Sequence, residues 1–187
     1  MLTNCMKPLD RYLQKVRIRR AQPFIRHGDV VLDVGCADGT MFENWRGLIK
    51  HGIGIDPIVE LKQETELYTL YPGIFPHGLP DGVKCDVITM LAVLEHLPPD
   101  AQAELPEACY RHLNDGGRVV ITVPSPQVDY VLDLLSAVHL IDGMSLHEHY
   151  GFEAEDTLKL FAGPCFKLLQ HHSFQLGLNN LFVFEKV

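Results

Sequence analysis

The clearest pattern in the chain lies at 30–39, which read Val30-Val31-Leu32-Asp33-Val34-Gly35-Cys36-Ala37-Asp38-Gly39. Its first half is a short, nearly all-apolar run, which is typical of a central parallel strand buried on both faces. Its second half carries glycines at positions 35 and 39, which let the backbone turn sharply and approach a ligand with no Cβ in the way. A buried strand that ends in such a turn predicts a ligand-binding loop at the carboxyl end of the strand.

Strands and helices alternate on both sides of this stretch. The apolar spacing predicts strands at 53–55, 68–70, 86–90 and 118–123, and helices at 9–25, 41–49, 58–67 and from 98 onward. On the first helix, Tyr12, Leu13 and Val16 form the predicted apolar side. Gly52 is predicted to end the second helix, and Pro106 is predicted to kink or split the last one.

The tail of the chain follows a different pattern. A helix is predicted at 154–161, followed by two alternating runs at 165–174 and 180–186 with Gly177 between them, which indicates an antiparallel hairpin. The whole order predicts a doubly wound, Rossmann-like α/β sheet of seven strands, mostly parallel, with this hairpin at its end. We expect a single domain over 1–187, in which 1–28 form a helical cap.

The composition narrows the class of protein. The 187 residues are 47% hydrophobic and 21% charged, as in a soluble globular domain, and the net charge of −8 argues against a nucleic-acid partner. The densest basic group, Arg17, Arg19 and Arg20, is interpreted as the solvated face of a helix. Five unpatterned cysteines indicate a reducing compartment, and the longest apolar stretch, 88–94, is too short to span a membrane. We expect a cytoplasmic protein of unknown oligomeric state.

Asp56 follows the second predicted strand and points to the kind of ligand. The glycine loop reads Gly-x-Ala-x-Gly and departs from the G-x-G-x-x-G spacing of dinucleotide sites, so a pyrophosphate cradle is disfavoured. A carboxylate at the end of the next strand is well matched to the two hydroxyls of a ribose. The alternative is that Asp56 only caps a helix ahead of Pro57.

Five motifs in the expected order resemble class I S-adenosylmethionine-dependent methyltransferases. They are VLDVGCADG at 31–39, Gly54-Ile55-Asp56, the fourth-strand segment 86–97, the Gly-Gly turn and strand at 113–124, and the terminal hairpin ending at 177–186. The match covers nearly the whole chain. The resemblance implies a Rossmann-like fold, S-adenosylmethionine as cofactor and methyl transfer as the activity.

The resemblance also implies roles for individual residues. Those assigned to the cofactor are Asp33, Gly35, Cys36, Ala37, Gly39, Asp56, Phe75 and Leu91. The glycine loop would line the methionine part, Asp33 would hold the loop or reach the ammonium, Asp56 would bind the ribose, and Leu91 would offer its carbonyl to the ammonium. For adenine, the family often has an acidic residue after the third strand. Here 73–80 lacks one, and Phe75 or Ile74 is the expected contact.

Three histidines are the candidate catalytic residues: His96, His147 and His149. A general base is needed when the acceptor keeps its proton at neutral pH, as alcohols do. The plainer alternatives are that His96 closes the turn after the fourth strand, and that His147 and His149 belong to an ordinary loop before a helix. His171-His172 lies in a predicted strand, where the two side chains point to opposite faces. We expect no metal, because His147-x-His149 has no third ligand at a recognised spacing.

The acceptor is expected to be a small molecule, a class in which we include sugar-linked and lipid-linked molecules, because Met90-Leu91-Ala92-Val93 provides an apolar wall. The segment 124–151 is predicted to be a substrate lid whose apolar helix at 128–138 covers the pocket, or else packs on the sheet. Two other classes remain: a non-catalytic S-adenosylmethionine-binding regulatory or partner subunit, and an NAD-type oxidoreductase, which the broken glycine pattern disfavours. Calorimetry with S-adenosylmethionine and with NADH would show which of the two cofactors binds.

Overall fold

A computed structural model describes residues 8–125 and 153–187. The helices in these ranges are α1 (Pro8–Ala21), α2 (Thr40–Asn44), α3 (Pro99–His112) and α4 (Ala154–Leu160). The strands are β1 (Val30–Val34), β2 (His51–Asp56), β3 (Gln63–Glu64), β4 (Tyr68–Pro72), β5 (Cys85–Leu91), β6 (Leu113–Pro124), β7 (Phe166–Phe174) and β8 (Asn179–Lys186). Short 3₁₀ helices lie at Gln22–Phe24 and Leu94–His96.

The strands form one sheet in the order β3-β4-β2-β1-β5-β6-β8-β7. The pairs from β4 through β6 are parallel, whereas β6–β8, β7–β8 and β3–β4 are antiparallel. This confirms the predicted Rossmann-like α/β class, the mostly parallel sheet and the C-terminal hairpin. Because β1, β2, β5 and β6 are parallel, their carboxyl ends meet at one edge of the sheet, which we call the ligand edge.

Alternate residues of the central strands serve two separate cores. On one face, Leu32, Ile88 and Phe182 are buried beneath α3 and the segment that follows α4. On the other face, Val31 and Val87 are buried beneath α1 and α2. The two layers account for the apolar character of β1, whose residues contact helices on both sides.

The sheet has eight strands in place of the predicted seven, and the helix predicted at 58–67 is wrong. That segment contains a turn and the edge strand β3. Only Val59 and Leu67 are buried in it, while Ile58 and Leu61 are 69% and 77% exposed, so no apolar stripe packs a helix onto the sheet. Instead, the backbone and hydroxyl of Thr65 bond to Tyr68 and turn β3 back onto β4.

Other boundaries also differ from the predictions. The second helix ends at Asn44, and Gly52 lies inside β2, where an added Cβ would overlap the ring of Phe42. Helix α3 continues through Pro106 as one element. Among the described side chains of α1, Ile18 and Ala21 are buried, whereas Tyr12, predicted to lie on the apolar side, is 61% exposed.

The hairpin carries one irregularity. Leu168 pairs with Phe184 and Gln170 pairs with Val183, which leaves Leu169 as an extra residue in β7. This is a β-bulge in the outermost strand on that side of the sheet. Within the described ranges, no helix is long and apolar enough to cross a membrane.

Three predictions fall outside the described ranges: the apolar helix at 128–138, His147 and His149. The predicted lid is described only at Pro124, which ends β6, and Ser125. The lid and these two histidines therefore stay predictions.

Candidate cofactor site

The glycine loop, residues 35–39, leaves β1 at the ligand edge. Gly35 and Gly39 have φ values of 78° and 77°, in the left-handed region that favours glycine. A Cβ built on Gly35 would overlap the Cγ2 atom of Val93, which lies beyond β5. The loop is held by hydrogen bonds from the backbone N–H of Gly35 to the Ile55 carbonyl (2.9 Å) and from that of Gly39 to the Cys36 carbonyl (2.9 Å). Both glycines are therefore required by the backbone path.

Asp56 ends β2 and is buried beside the loop. Its Oδ2 accepts a hydrogen bond from the N–H of Ala37 (2.9 Å), and its Oδ1 accepts one from the N–H of Ile58 (2.9 Å). No helix begins after Asp56, so the helix-capping alternative is wrong, and the bond to Ile58 closes a turn instead. Each carboxylate oxygen has a second lone pair, so the group can still accept further hydrogen bonds.

Asp33 places a second carboxyl group under the loop. The hydroxyl of Thr89 on β5 donates to its Oδ1 at 2.7 Å. Burial raises the pKa of Asp33 from 3.8 to about 7; the Thr89 hydrogen bond opposes this rise, and the charge of Asp56 adds to it. A buried carboxyl with a raised pKa is ready to receive a cation, because a positive neighbour restores its charged form.

A small cavity of about 50 Å³ opens beside Asp33. Its lining residues are Gln14, Arg17, Ile18, Asp33, Gly35, Cys36, Met41 and Leu91. Four of the predicted cofactor residues are thus brought together around one space. Cys36 contributes no nucleophile, since burial and the charges of Asp33 and Asp56 raise the pKa of its thiol far above its ordinary value.

The contribution of α1 to this cavity was missed by sequence reasoning. The basic cluster at 17–20 predicts a solvated position for Arg17. In the structure Arg17 is half-exposed and lines the cavity with Gln14 and Ile18. The 14, 17, 18 spacing marks one side of a helix and was the available signal. Arg17 is the single basic residue among the eight described residues that line the cavity.

The segment after β5 brings further polar groups to the ligand edge. Ala92 has a φ of 60°, and its N–H donates to the Thr122 carbonyl (2.9 Å). The 3₁₀ helix that follows carries Glu95, which is 3% exposed, and His96, which is half-buried. Burial raises the pKa of Glu95 to about 7, against the opposing positive charge of Arg17. Sequence reasoning singled out His96 and overlooked Glu95.

The predicted adenine contact of Phe75 is not favoured by its position. Phe75 is 4% exposed, and its ring packs against His112 with centroids 5.5 Å apart, so no ring face is open. Ile74, the other prediction, is 56% exposed. Asp56 pairs with Pro72 across the parallel β2–β4 ladder, so the segments that carry Ile58 and Ile74 leave the sheet from neighbouring strand ends.

His171 and His172 lie on opposite faces of β7, as predicted. The ring of His171 stacks on Phe182 with centroids 4.1 Å apart, and His172 lies near Phe174. Among the described residues, no group of three or more His, Cys, Asp or Glu side chains is arranged to hold a metal ion. The expectation of a metal-free site stays a prediction.

A family model described as a methyltransferase domain matches residues 7–171. The chain belongs to this methyltransferase family. The resemblance to class I S-adenosylmethionine-dependent methyltransferases is thereby confirmed. The match extends from α1 into β7 and includes the glycine loop, Asp33 and Asp56.

Two curated relatives and one solved structure illustrate the similarity. A ubiquinone biosynthesis O-methyltransferase of Paraburkholderia phytofirmans is 28% identical over 123 residues, which cover 60% of this chain and 52% of that protein. A probable S-adenosylmethionine-dependent methyltransferase of Mycolicibacterium smegmatis is 31% identical over 153 residues, covering 73% and 56%. The chain therefore spans about half the length of these methyltransferases.

The solved structure is the 1,6-didemethyltoxoflavin-N1-methyltransferase of Burkholderia thailandensis, with 1,6-didemethyltoxoflavin and S-adenosylhomocysteine bound. It superimposes with a TM-score of 0.68 at 16% identity, covering 95% of this chain and 81% of that one. At this identity the likeness shows a shared methyltransferase fold.

Proposed function

We propose that this methyltransferase transfers the methyl group of S-adenosylmethionine to a small-molecule acceptor. The observation that carries the proposal is the pair of carboxylates at the ligand edge: Asp33 buried beneath the glycine loop, and Asp56 beside Ala37 at the end of β2. One suits an ammonium group and the other suits the hydroxyls of a ribose. Two carboxylates placed beside a glycine loop in this way match the ammonium group and the ribose of S-adenosylmethionine.

The remaining cofactor contacts would come from the lining of the cavity, the rest of the glycine loop and the strand ends beside it. Gly35, Cys36, Ala37 and Gly39 would hold the methionine part, and the Leu91 carbonyl would accept from its ammonium. Arg17 supplies the positive charge that a carboxylate needs. Ile58 and Ile74, both exposed at neighbouring strand ends, would hold the adenine between apolar side chains.

The bound cofactor would supply a methyl group on a positively charged sulfur, which is reactive without further activation. The protein's own task is to align the acceptor and exclude water. Where the acceptor is a hydroxyl, a base must take its proton, and His96, His147 and His149 are the candidates. His96 stands at the ligand edge directly after β5.

Two observations support a small-molecule acceptor, a class that includes sugar-linked and lipid-linked molecules. The segment that follows Leu91 is apolar at Ala92 and Val93, which are partly exposed. The names of two similar proteins refer to ubiquinone biosynthesis and to 1,6-didemethyltoxoflavin. The net charge of −8 disfavours a nucleic-acid acceptor.

Calorimetry with S-adenosylmethionine, S-adenosylhomocysteine and NADH tests the proposal, followed by an acceptor screen. We expect the first two ligands to bind and NADH not to bind. Gly35→Val should abolish binding, because the added side chain meets Val93 and fills the loop. Gly47→Val is the matched control: Gly47 has a similar φ of 80° but open space around it. Equal binding by the two variants would place the cofactor elsewhere, and binding without turnover on any acceptor would count against catalysis.

A further inference from the structure

We propose that Asp56 has a second role besides the ribose contact: its carboxylate locks the glycine loop in the conformation that receives the amino-acid part of the cofactor. This inference rests on the proposed function. It makes Asp56 a positioning residue for the amino-acid part of the ligand, in addition to a contact with the ribose.

The first step is the strained middle of the loop. Ala37 has a φ of 48°, a left-handed conformation that its Cβ disfavours. Glycine would adopt this conformation freely, as the neighbours at 35 and 39 do. Ala37 therefore needs an external contact to stay there, since strained backbone persists only where its surroundings impose it.

The second step is the source of that contact. The end of β2 receives three successive N–H groups of the loop: Gly35 (2.9 Å) and Cys36 (3.5 Å) donate to the Ile55 carbonyl, and Ala37 donates to Oδ2 of Asp56 (2.9 Å). The bond to Asp56 has a charged acceptor and is the stronger kind. It acts on the one residue of the three that is strained and is not glycine.

The third step is the use of both carboxylate oxygens. While Oδ2 holds Ala37, Oδ1 holds the N–H of Ile58 at 2.9 Å. One side chain therefore fixes both the glycine loop and the turn after β2, which flank the proposed ligand. An asparagine has only one acceptor oxygen and would lose one of these two bonds. The other loop acid, Asp38, is exposed and accepts from Thr40 within its own turn.

Two ligands that share the ribose and adenine but differ in the amino-acid part separate the two roles. S-adenosylhomocysteine has the amino-acid part, and 5′-methylthioadenosine lacks it. In Asp56→Asn we expect both ligands to bind more weakly through the altered ribose contact. S-adenosylhomocysteine should lose about tenfold more affinity than 5′-methylthioadenosine, the equivalent of one further hydrogen bond.

Ala37→Gly gives the second arm of the experiment. Glycine needs no lock to hold a positive φ, so in the double variant Asp56→Asn/Ala37→Gly the additional loss for S-adenosylhomocysteine should shrink to about threefold or less. Affinity for 5′-methylthioadenosine should stay at the level of Asp56→Asn alone. Asp81→Asn, in an exposed loop, is the control, and thermal melts verify that each variant is folded.

The possible outcomes are distinct. Equal losses for the two ligands, or no recovery on adding Ala37→Gly, would overturn the loop-locking role and leave Asp56 as a ribose contact only. Failure of both ligands to bind the parent protein would instead overturn the proposed function.

Discussion

At the scale of single residues, Asp33 is a carboxyl group whose charge state depends on the fold. Its carboxyl lies beneath the glycine loop, where burial raises its pKa from 3.8 to about 7. The folded protein therefore binds this proton more tightly than the unfolded chain does. Its contribution to stability is present at low pH and is lost as pH rises from about 4 to about 7.

Asp33→Asn should therefore become more stable relative to the parent as pH rises from 5 to 8, because the amide never has to ionise. We expect the difference in the free energy of unfolding between the two proteins to change by more than about 1 kcal/mol over this range. Urea unfolding at both pH values measures it, and the difference between proteins removes the parallel effect of Glu95. With exposed Asp81→Asn as control, a difference that stays constant with pH would contradict the assignment.

Several residues of the candidate site could be predicted at this scale because each stands in a recognisable sequence pattern. Asp33 and the glycine loop follow a buried strand, and Asp56 ends the next one. The adenine contact predicted for Phe75 is not favoured, because an aromatic residue in a loop is equally suited to the core, and Phe75 lies in the core. Glu95 gave no signal, because its burial depends on how the segment after β5 packs.

At the scale of elements, α1 joins the cavity beside Asp33 to the rest of the fold. It brings Gln14, Arg17 and Ile18 over the ligand edge while Ile18 and Ala21 enter the core. Arg17→Ala should weaken S-adenosylhomocysteine binding by tenfold or more, the value of a hydrogen bond between charged groups, and leave 5′-methylthioadenosine unaffected. Lys15→Ala, on the exposed side of α1, is the matched control. Calorimetry that finds equal losses in both variants would exclude Arg17 from carboxylate binding.

The elements were predictable where the apolar pattern alone decides them. Strands β1, β5, β6 and β8 were found because their residues must be apolar on one face or both. Strand β7 is buried only at Phe166 and Phe174, and it was found because its run is joined to β8 through Gly177. The structure of the segment 58–67 was not predicted correctly, because its edge strand depends on hydrogen bonds between Thr65 and Tyr68 rather than on apolar periodicity. The face of α1 was misjudged because Arg17 turns inward only in the presence of the sheet.

At the scale of the whole molecule, the bulge at Leu169 has a consequence for concentrated solutions. Strand β7 forms one border of the sheet, and Leu168 and Leu169 are 43% and 46% exposed there. A regular edge strand can pair with the edge strand of another molecule through its unpaired N–H and C=O groups. An extra residue interrupts the regular spacing of these groups. Deleting Leu169 should straighten β7 and raise light scattering at high concentration, whereas Leu169→Lys, which keeps the extra residue, should not. Equal scattering by the two variants would show that the extra residue does not affect colloidal stability. The expected difference would show that the β-bulge protects the protein against aggregation through β7.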